Sequence, residues 1–379
     1  MKKILFKGGT TNIGGVEKIQ IEYINFLIEQ NYDVKVIIEN DYGKENVLEK
    51  YIHTQVQYLK DTSYTQKLNF LQEQRKNNLL AKIKYLFSRS REKNFLRNKI
   101  IRIYQEFQPD LVIDFDASLT KMICRLQQSK NLVWIHSSVS HWKRTPKKTA
   151  RFLRRLEAYD KVVSICQEME KEIIQLNPHL KKNSVYLYNP INFEKILQLS
   201  TEETTEIEKQ EMKEKFLLSV ARFDCIPKDF ETLFQAFDYA KEQGYSGKLY
   251  LLGDGKDRNI VEELRLKTKY REDIVLLGWK ENPYPWIKAA DKLILSSRYE
   301  GFPTILLEGL VLEKEVLSSN CKTGPKEILA EGRGKLFEIG DIETLGKYIL
   351  EMNSEKMISL EDFQSSAIFK KLLNILEEI

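Results

Sequence analysis

DKLILSSRYEGFPTILLEGLVLEKEVLSS, residues 291–319, holds one full repeat of an architecture. DKLILSS (291–297) reads as a strand and Arg298–Phe302 as a turn. Pro303 suits a first helical residue, because its missing N–H would be unpaired there anyway. An apolar run follows, and EVLSS (315–319) is the next strand. Two carboxylates frame the turn and the helix: Glu300 before Gly301-Phe302-Pro303, and Glu308 about one turn inside. Strand, turn, helix and strand in this order make a parallel βαβ unit.

The same rhythm extends in both directions. Upstream stand KKILF (2–6), VKVII (34–38), LVIDF (111–115), NLVWIH (131–136), KVVSI (161–165) and VYLY (185–188). Nearer the quoted stretch come KFLLSV (215–220), KLYLLG (248–253) and DIVLLG (273–278). Helical spacing fills the gaps, as in Val16, Ile19, Tyr23, Phe26 and Leu27, in Phe230–Glu242 and in Pro285–Ala290. Two such sets predict two doubly wound α/β domains, each with a parallel sheet. The polar, strand-free run 200–215 reads as the hinge, and 363–379 as a terminal helix.

A chain of 379 residues suits two cores better than one. No apolar stretch approaches the roughly 18 residues that span a bilayer. The start, MKKILFKGG, has an apolar run of only three residues and reads as a strand instead of a signal peptide. The four cysteines lie far apart with no CxxC, which fits a reducing compartment and no zinc or disulfide framework. Charge is uneven: residues 1–195 carry 34 Lys and Arg against 21 Asp and Glu, and residues 196–379 carry 26 against 34. The two halves therefore meet different partners.

Ligands of open parallel sheets bind beyond the carboxyl ends of the strands, so the loops there carry the chemistry. GGTTNIGG (8–15) lets backbone N–H groups approach an anion at a helix start. It is not GxGxxG, yet Glu39 ends the second strand, where a dehydrogenase would hold a ribose; hydride transfer and a plain packing turn stay open for this loop. Arg222 and Lys228 flank one turn and could clamp a diphosphate. LGDGK (252–256) is a further glycine turn. The N–H groups of Phe302, Thr304 and Ile305 would point out of a helix start towards an anion, with Glu308 returning to the same place to accept from ribose hydroxyls. Glu300 would face the reacting sugar. Asp114-x-Asp116 reads better as strand-end acids than as a metal-binding DxD, since no third ligand joins them.

These residues resemble a known family. Glu300-Gly301-Phe302-Pro303-Thr304 with Glu308 is similar to the E-x7-E signature of the retaining, nucleotide-sugar-dependent glycosyltransferase family four, of GT-B fold. Gly14-Gly15-Val16-Glu17, PDLVI (109–113), WIHSS (134–138), YNPI (188–191), SVARF with Lys228, LGDG, LGW with Asn282, and TGPKEIL (323–329) follow in the family's order. The resemblance implies two Rossmann-like domains facing across a cleft: 1–199 for the acceptor, a linker at 200–213, 214–358 for the nucleotide sugar, and 359–379 as a terminal helix packing back on the N-terminal domain. It implies that Gly14 and Gly15 touch the donor diphosphate and that His136 hydrogen-bonds the donor sugar. Arg222 and Lys228 would neutralise the leaving diphosphate in place of a metal. Glu300 would stabilise the sugar, Glu308 would bind ribose, and Gly253 and Gly255 would border the base. No cofactor and no metal are expected. The sequence departs from the family at Lys256, at Asn31-Tyr32, and at Glu313 and Glu315, which bears on loop shape and donor choice.

Two basic stretches belong to the first half. Residues 75–102 hold ten Lys or Arg against Glu92 alone, with leucines and phenylalanines between them, and 143–155 hold seven and no acid beside Trp142. Such segments lie on an anionic membrane or hold a lipid diphosphate, or else are solvated helix faces. No nucleic-acid module is present. The expectation is a transferase that moves a sugar from a nucleotide sugar, a UDP-sugar favoured, to a lipid-linked glycan of bacterial polysaccharide assembly. It would be cytoplasmic and peripheral on the inner face of the membrane. A soluble transferase with a small acceptor, an epimerase or hydrolase of the same fold, and a non-catalytic nucleotide-sugar sensor are the alternatives.

Overall fold

Aliphatic runs buried on both faces make the strands. Ile4, Leu5 and Phe6, then Val36, Ile37 and Ile38, are fully inaccessible, as parallel strands covered on two sides require. The computed structural model describes all residues except 13, 76–78, 144 and 353–358, so the parts of the expected glycine loop, basic stretches and domain boundary that fall there lie outside the described residues. The described residues fall into two compact units: Met1–Ile165 with Met169–Leu187 and Leu372–Ile379, and Cys166–Glu168 with Tyr188–Lys371.

The first unit holds strands β1 (Lys3–Gly8), β2 (Asp33–Asn40), β3 (Val56–Lys60), β4 (Leu111–Asp114), β5 (Lys130–Ile135), β6 (Lys161–Ser164) and β7 (Ser184–Tyr186). They form one parallel sheet in the order β3-β2-β1-β4-β5-β6-β7. Its helices are α1 (Gly15–Glu29), α2 (Thr62–Gln74), α3 (Leu79–Phe107), α4 (Val139–Lys143), α5 (Pro146–Leu156) and most of α6 (Gln167–Leu176).

The second unit repeats the plan. Strands β8 (Phe216–Val220), β9 (Lys248–Leu252), β10 (Ile274–Gly278), β11 (Lys292–Leu295), β12 (Glu315–Ser319) and β13 (Lys335–Phe337) lie in the parallel order β10-β9-β8-β11-β12-β13. The helices are α7 (Phe193–Leu199), α8 (Glu206–Glu211), α9 (Phe230–Glu242), α10 (Arg258–Leu266), α11 (Tyr284–Ala289), α12 (Thr304–Val311), α13 (Pro325–Ile328), α14 (Ile342–Leu350) and the first turns of α15 (Ser365–Glu377). Phe230, Leu233, Phe234 and Phe237 of α9 pack on Leu217, Leu249 and Leu251 of the sheet.

Both units are doubly wound, with the strand order reversing between β1 and β4 and between β8 and β11. Two strands were not anticipated. β3 mixes polar Gln57 and Lys60 with apolar residues and lies at a sheet edge, and β13 has only three residues. The run read as a hinge contains α8, whose Thr205 and Glu208 form a reciprocal capping box. Lys280 donates to Glu208 at 2.7 Å and holds its carboxyl down at about 2. Asn282 donates to the Leu199 carbonyl and to Glu202, both at 2.8 Å, so this segment is tied to the loop after β10. The compact units divide after Leu187, twelve residues before the boundary drawn from sequence, because α7 packs on α11 and α12.

Candidate active site

The reversal point of the second unit gathers the charged residues. After β8 the chain runs through an exposed Arg222 and returns as Pro227-Lys228-Asp229 alongside Ser296-Ser297-Arg298. The backbone zips there: Asp229 N–H donates to the Ser296 carbonyl at 2.7 Å, and Arg298 N–H to the Pro227 carbonyl at 2.8 Å. That register sets the Lys228 ammonium on the Glu300 carboxylate, and Ser297 Oγ donates to the same oxygen, Glu300 Oε1, at 2.7 Å. Thr323 Oγ1 holds the Glu300 carbonyl at 2.5 Å. Glu300 is thus oriented at both its backbone and its side chain, with only 16% of the side chain exposed.

Asp229 does two jobs. It caps α9 by accepting from Thr232 N–H, and it pairs with Arg298 at 3.0 Å. Cys321, buried close by, has its thiol pushed up to about 12 by burial and by the Glu300 charge, so it is not a nucleophile here.

α12 starts one residue later than expected. Pro303 is its cap, with ψ at 91°, and the helix opens at Thr304. Thr304 Oγ1 donates to Glu308 Oε1 at 3.2 Å, so the second glutamate does reach back to the first turn. Phe302 is buried and stacked on Tyr188 with centroids 5.0 Å apart. Gly324, at φ 94°, is forced by contact: a Cβ there would sit 2.6 Å from Pro303 Cδ and 2.9 Å from the Gly301 carbonyl.

Gly253 and Gly255 have packing reasons of their own. A Cβ on Gly253 would lie 1.9 Å from the Ala221 carbonyl, and one on Gly255 would lie 2.4 Å from that of Phe223. Both glycines let the loop bearing Arg222 press against the end of β9. Phe223 N–H donates to the Asp254 carbonyl at 3.0 Å, and Cys225 N–H to Asp257 Oδ2 at 2.9 Å, which locks that loop.

The first unit has its own cluster at its reversal point. Gly14 precedes α1 in extended conformation, and among the described residues nothing lies within 4 Å of a Cβ placed on Gly15. Glu17, in the first turn, receives Thr10 Oγ1 at 3.0 Å. Lys7 is 1% exposed and pairs with Asp116 at 2.6 Å and with Glu39 at 3.3 Å, while Lys60 reaches Glu39 at 3.1 Å. Despite burial, the two lysines hold the Glu39 carboxyl below its ordinary value. Glu39 is therefore part of an ionic network, not a ribose holder. Asp114 accepts from Ser118 N–H, Leu119 N–H and Tyr159 OH. Among the described residues no group of three or more His, Cys, Asp or Glu is placed to hold a metal ion.

His136 stands just past β5. Its Nε2–H must donate to the Phe115 carbonyl, 2.7 Å away, since a carbonyl only accepts. Burial lowers the imidazole to about 4, so the ring is neutral near pH 7 and Nδ1 is a bare acceptor. That Nδ1 is buried and has no hydrogen-bond partner among the described residues.

Residues 200–368 match the family model described as glycosyl transferases group 1. A lipopolysaccharide 1,6-galactosyltransferase of Escherichia coli is 26% identical over 294 residues, 72% of this chain and 76% of that protein. An N-acetylgalactosamine-N,N'-diacetylbacillosaminyl-diphospho-undecaprenol 4-alpha-N-acetylgalactosaminyltransferase of Campylobacter jejuni is 30% identical over 159 residues, 42% and 41% of the two chains. Among solved structures, Anabaena HepE in complex with UDP-glucose superposes with a TM-score of 0.73 at 16% identity, covering all of both chains. That likeness shows the fold alone: two parallel-sheet α/β domains, the GT-B fold.

The group 1 match runs from before α8 into the first turn of α15 and so contains Arg222, Lys228, Glu300 and Glu308. Sequence reasoning missed Ser297, Asp229 and Thr323, which position these groups. The signal for Ser297 and Thr323 was faint, because serine and threonine are common at strand ends. Asp229 was legible as the residue before a helix, a typical N-cap position.

Proposed function

We propose that the chain is a retaining, metal-independent glycosyltransferase. It moves a sugar from a nucleotide sugar, a UDP-sugar favoured, to a membrane-associated glycan acceptor of bacterial polysaccharide or glycoconjugate assembly, and works as a peripheral protein on the inner face of the cell membrane. The observation that carries the reading is Glu300 held by Lys228 and Ser297 at the reversal point of the second unit, next to the start of α12. An ammonium has three donors, so Lys228 can hold Glu300 and a phosphate oxygen together. Breaking a glycosyl–phosphate bond builds negative charge on the diphosphate and positive charge on the anomeric carbon. Lys228, Arg222 and the first N–H groups of α12 stabilise the former, and Glu300 the latter. Glu308 accepts from ribose hydroxyls, Gly14 and Gly15 approach the diphosphate, and Nδ1 of His136 accepts from a sugar hydroxyl.

Donor identity draws on the UDP-glucose complex of the Anabaena protein, and acceptor class on the lipopolysaccharide and diphospho-undecaprenol transferases. Calorimetry with UDP, GDP and ADP, followed by NMR of the anomeric configuration of the product and turnover in EDTA, tests each part. UDP should bind best, the product should keep the donor's configuration, and chelation should leave the rate unchanged. Absence of nucleotide binding at millimolar concentration would sink the proposal.

A further inference from the structure

The first half of α3 turns apolar residues outward. Leu79, Ile83, Leu86 and Phe87 are 72%, 56%, 59% and 64% exposed. At about 100° per residue they all fall within about 60° of Ile83. Exposed Arg91 and Lys84 flank this stripe at about 80–100° on one side, and Lys82, Lys93 and Arg89 at about 80–120° on the other. Tyr85 and Glu92 point the opposite way and are buried, so the stripe faces away from the core. Arg91 lies over the Phe87 ring at 5.6 Å.

The cations of α3 are continuous with those of α5. Lys121 sits between them: its ammonium is pushed below its ordinary value by partial burial and by the charges of Lys93, Arg155, Arg89 and Arg151. Lys143 is lowered to about 8 by burial, Lys121 and Arg155, and stands over Trp142 at 3.0 Å and Phe152 at 3.9 Å. α5 itself buries Phe152, Leu153 and Leu156 and leaves Arg151 and Arg154 outside. Glu92 is the one acid of the α3 half, and it is occupied by Lys60 at 2.8 Å and Arg89 at 2.7 Å.

We propose that this face, the α3 stripe with the Lys93–Lys121–Arg151–Arg155 cluster, docks on a bilayer rich in anionic lipid. Apolar side chains enter the headgroup boundary and cations meet the phosphates around them. A second copy of the chain is a poor occupant, since two such faces would repel. A soluble phosphate would satisfy the cations and leave the apolar stripe wet. The inference deepens the membrane placement proposed above by naming the surface that makes it.

Co-sedimentation with vesicles of phosphatidylglycerol in phosphatidylcholine, against phosphatidylcholine alone, tests it. The wild type should bind the anionic vesicles and not the neutral ones, and added salt should weaken binding. Ile83→Glu/Phe87→Glu, on an exposed face, should abolish binding with an unchanged circular dichroism spectrum. Lys93→Glu/Arg151→Glu should weaken it by at least about 25-fold, at about fivefold for each cation lost. Equal sedimentation of wild type and both variants overturns the proposal. So does full displacement by inorganic pyrophosphate, or self-association that depends on Phe87 without vesicle binding. UDP calorimetry on the same preparations reports separately on the donor site, so failure of the transferase reading is distinguishable from failure of the docking surface.

Discussion

Lys228 and Glu300 are the pair on which the proposed chemistry turns. The lysine sits on one oxygen of the glutamate, and Ser297 donates to the same oxygen. Lys228→Ala should lower kcat/KM by about 100- to 1000-fold, the usual loss for one preorganised donor. It should also weaken UDP binding, because the remaining carboxylate would repel the diphosphate. Glu300→Gln should leave UDP affinity close to wild type and lower kcat, a split that separates the two roles in steady-state kinetics and calorimetry. His136 makes a pH prediction. Its folded pKa, about 4, lies below the roughly 6.5 of an unfolded histidine, so the unfolded state takes up the proton first. Its contribution to stability is complete above about pH 6.5 and declines as pH falls towards about 4. Urea midpoints of wild type and His136→Gln should run parallel above about pH 6.5, and the wild type should lose stability relative to the variant as pH falls below it; imidazole NMR should show a neutral Nε2–H form at pH 6.

At the scale of elements, glycines with different reasons should respond differently to the same change. Gly253→Ala drives a Cβ into the Ala221 carbonyl at a φ of 142°, where a side chain is strained as well. It should destabilise by about 2 kcal/mol or more and displace the Arg222 loop, so the urea midpoint and UDP affinity fall together. Gly15→Ala meets nothing within 4 Å among the described residues and lies at the start of α1, so stability should hold or rise by up to about 1 kcal/mol. A loss of donor affinity in that variant alone would place a ligand against the α1 start, and an unchanged affinity would remove Gly15 from the site. Much of this element-level plan was readable in advance. Phe230–Glu242 matches α9 residue for residue, and EVLSS matches β12. β3 was not readable, because VQYLK mixes polar and apolar residues and borrows its place from pairing with β2. α8 was not, because a short polar helix has no apolar stripe and announces itself only through its capping box.

For the whole molecule, ligand binding and folding are linked. Saturating UDP at about 100 times its Kd should add about 2.7 kcal/mol and raise the melting temperature by mass action, whereas Lys228→Ala should abolish most of that shift. The end of the chain matters to the first unit: Leu372 and Leu376 are buried, Lys2 donates to the Leu376 carbonyl at 3.3 Å, and Lys161 pairs with Glu378 at 2.6 Å. Leu376→Ala should cost about 2–5 kcal/mol by opening a cavity, seen as a lower urea midpoint. By itself the amino-acid order determined the two parallel sheets, the loops at their carboxyl ends and the acids and bases in them, because hydrophobic periodicity and turn residues act over a few positions. Only the folded chain decided that Lys228 lies on Glu300, that the GDG glycines serve the Arg222 loop, that Glu39 is consumed by two buried lysines, and that the α3 stripe faces out. Those outcomes depend on the register in which segments dozens of residues apart meet, and no local pattern encodes that.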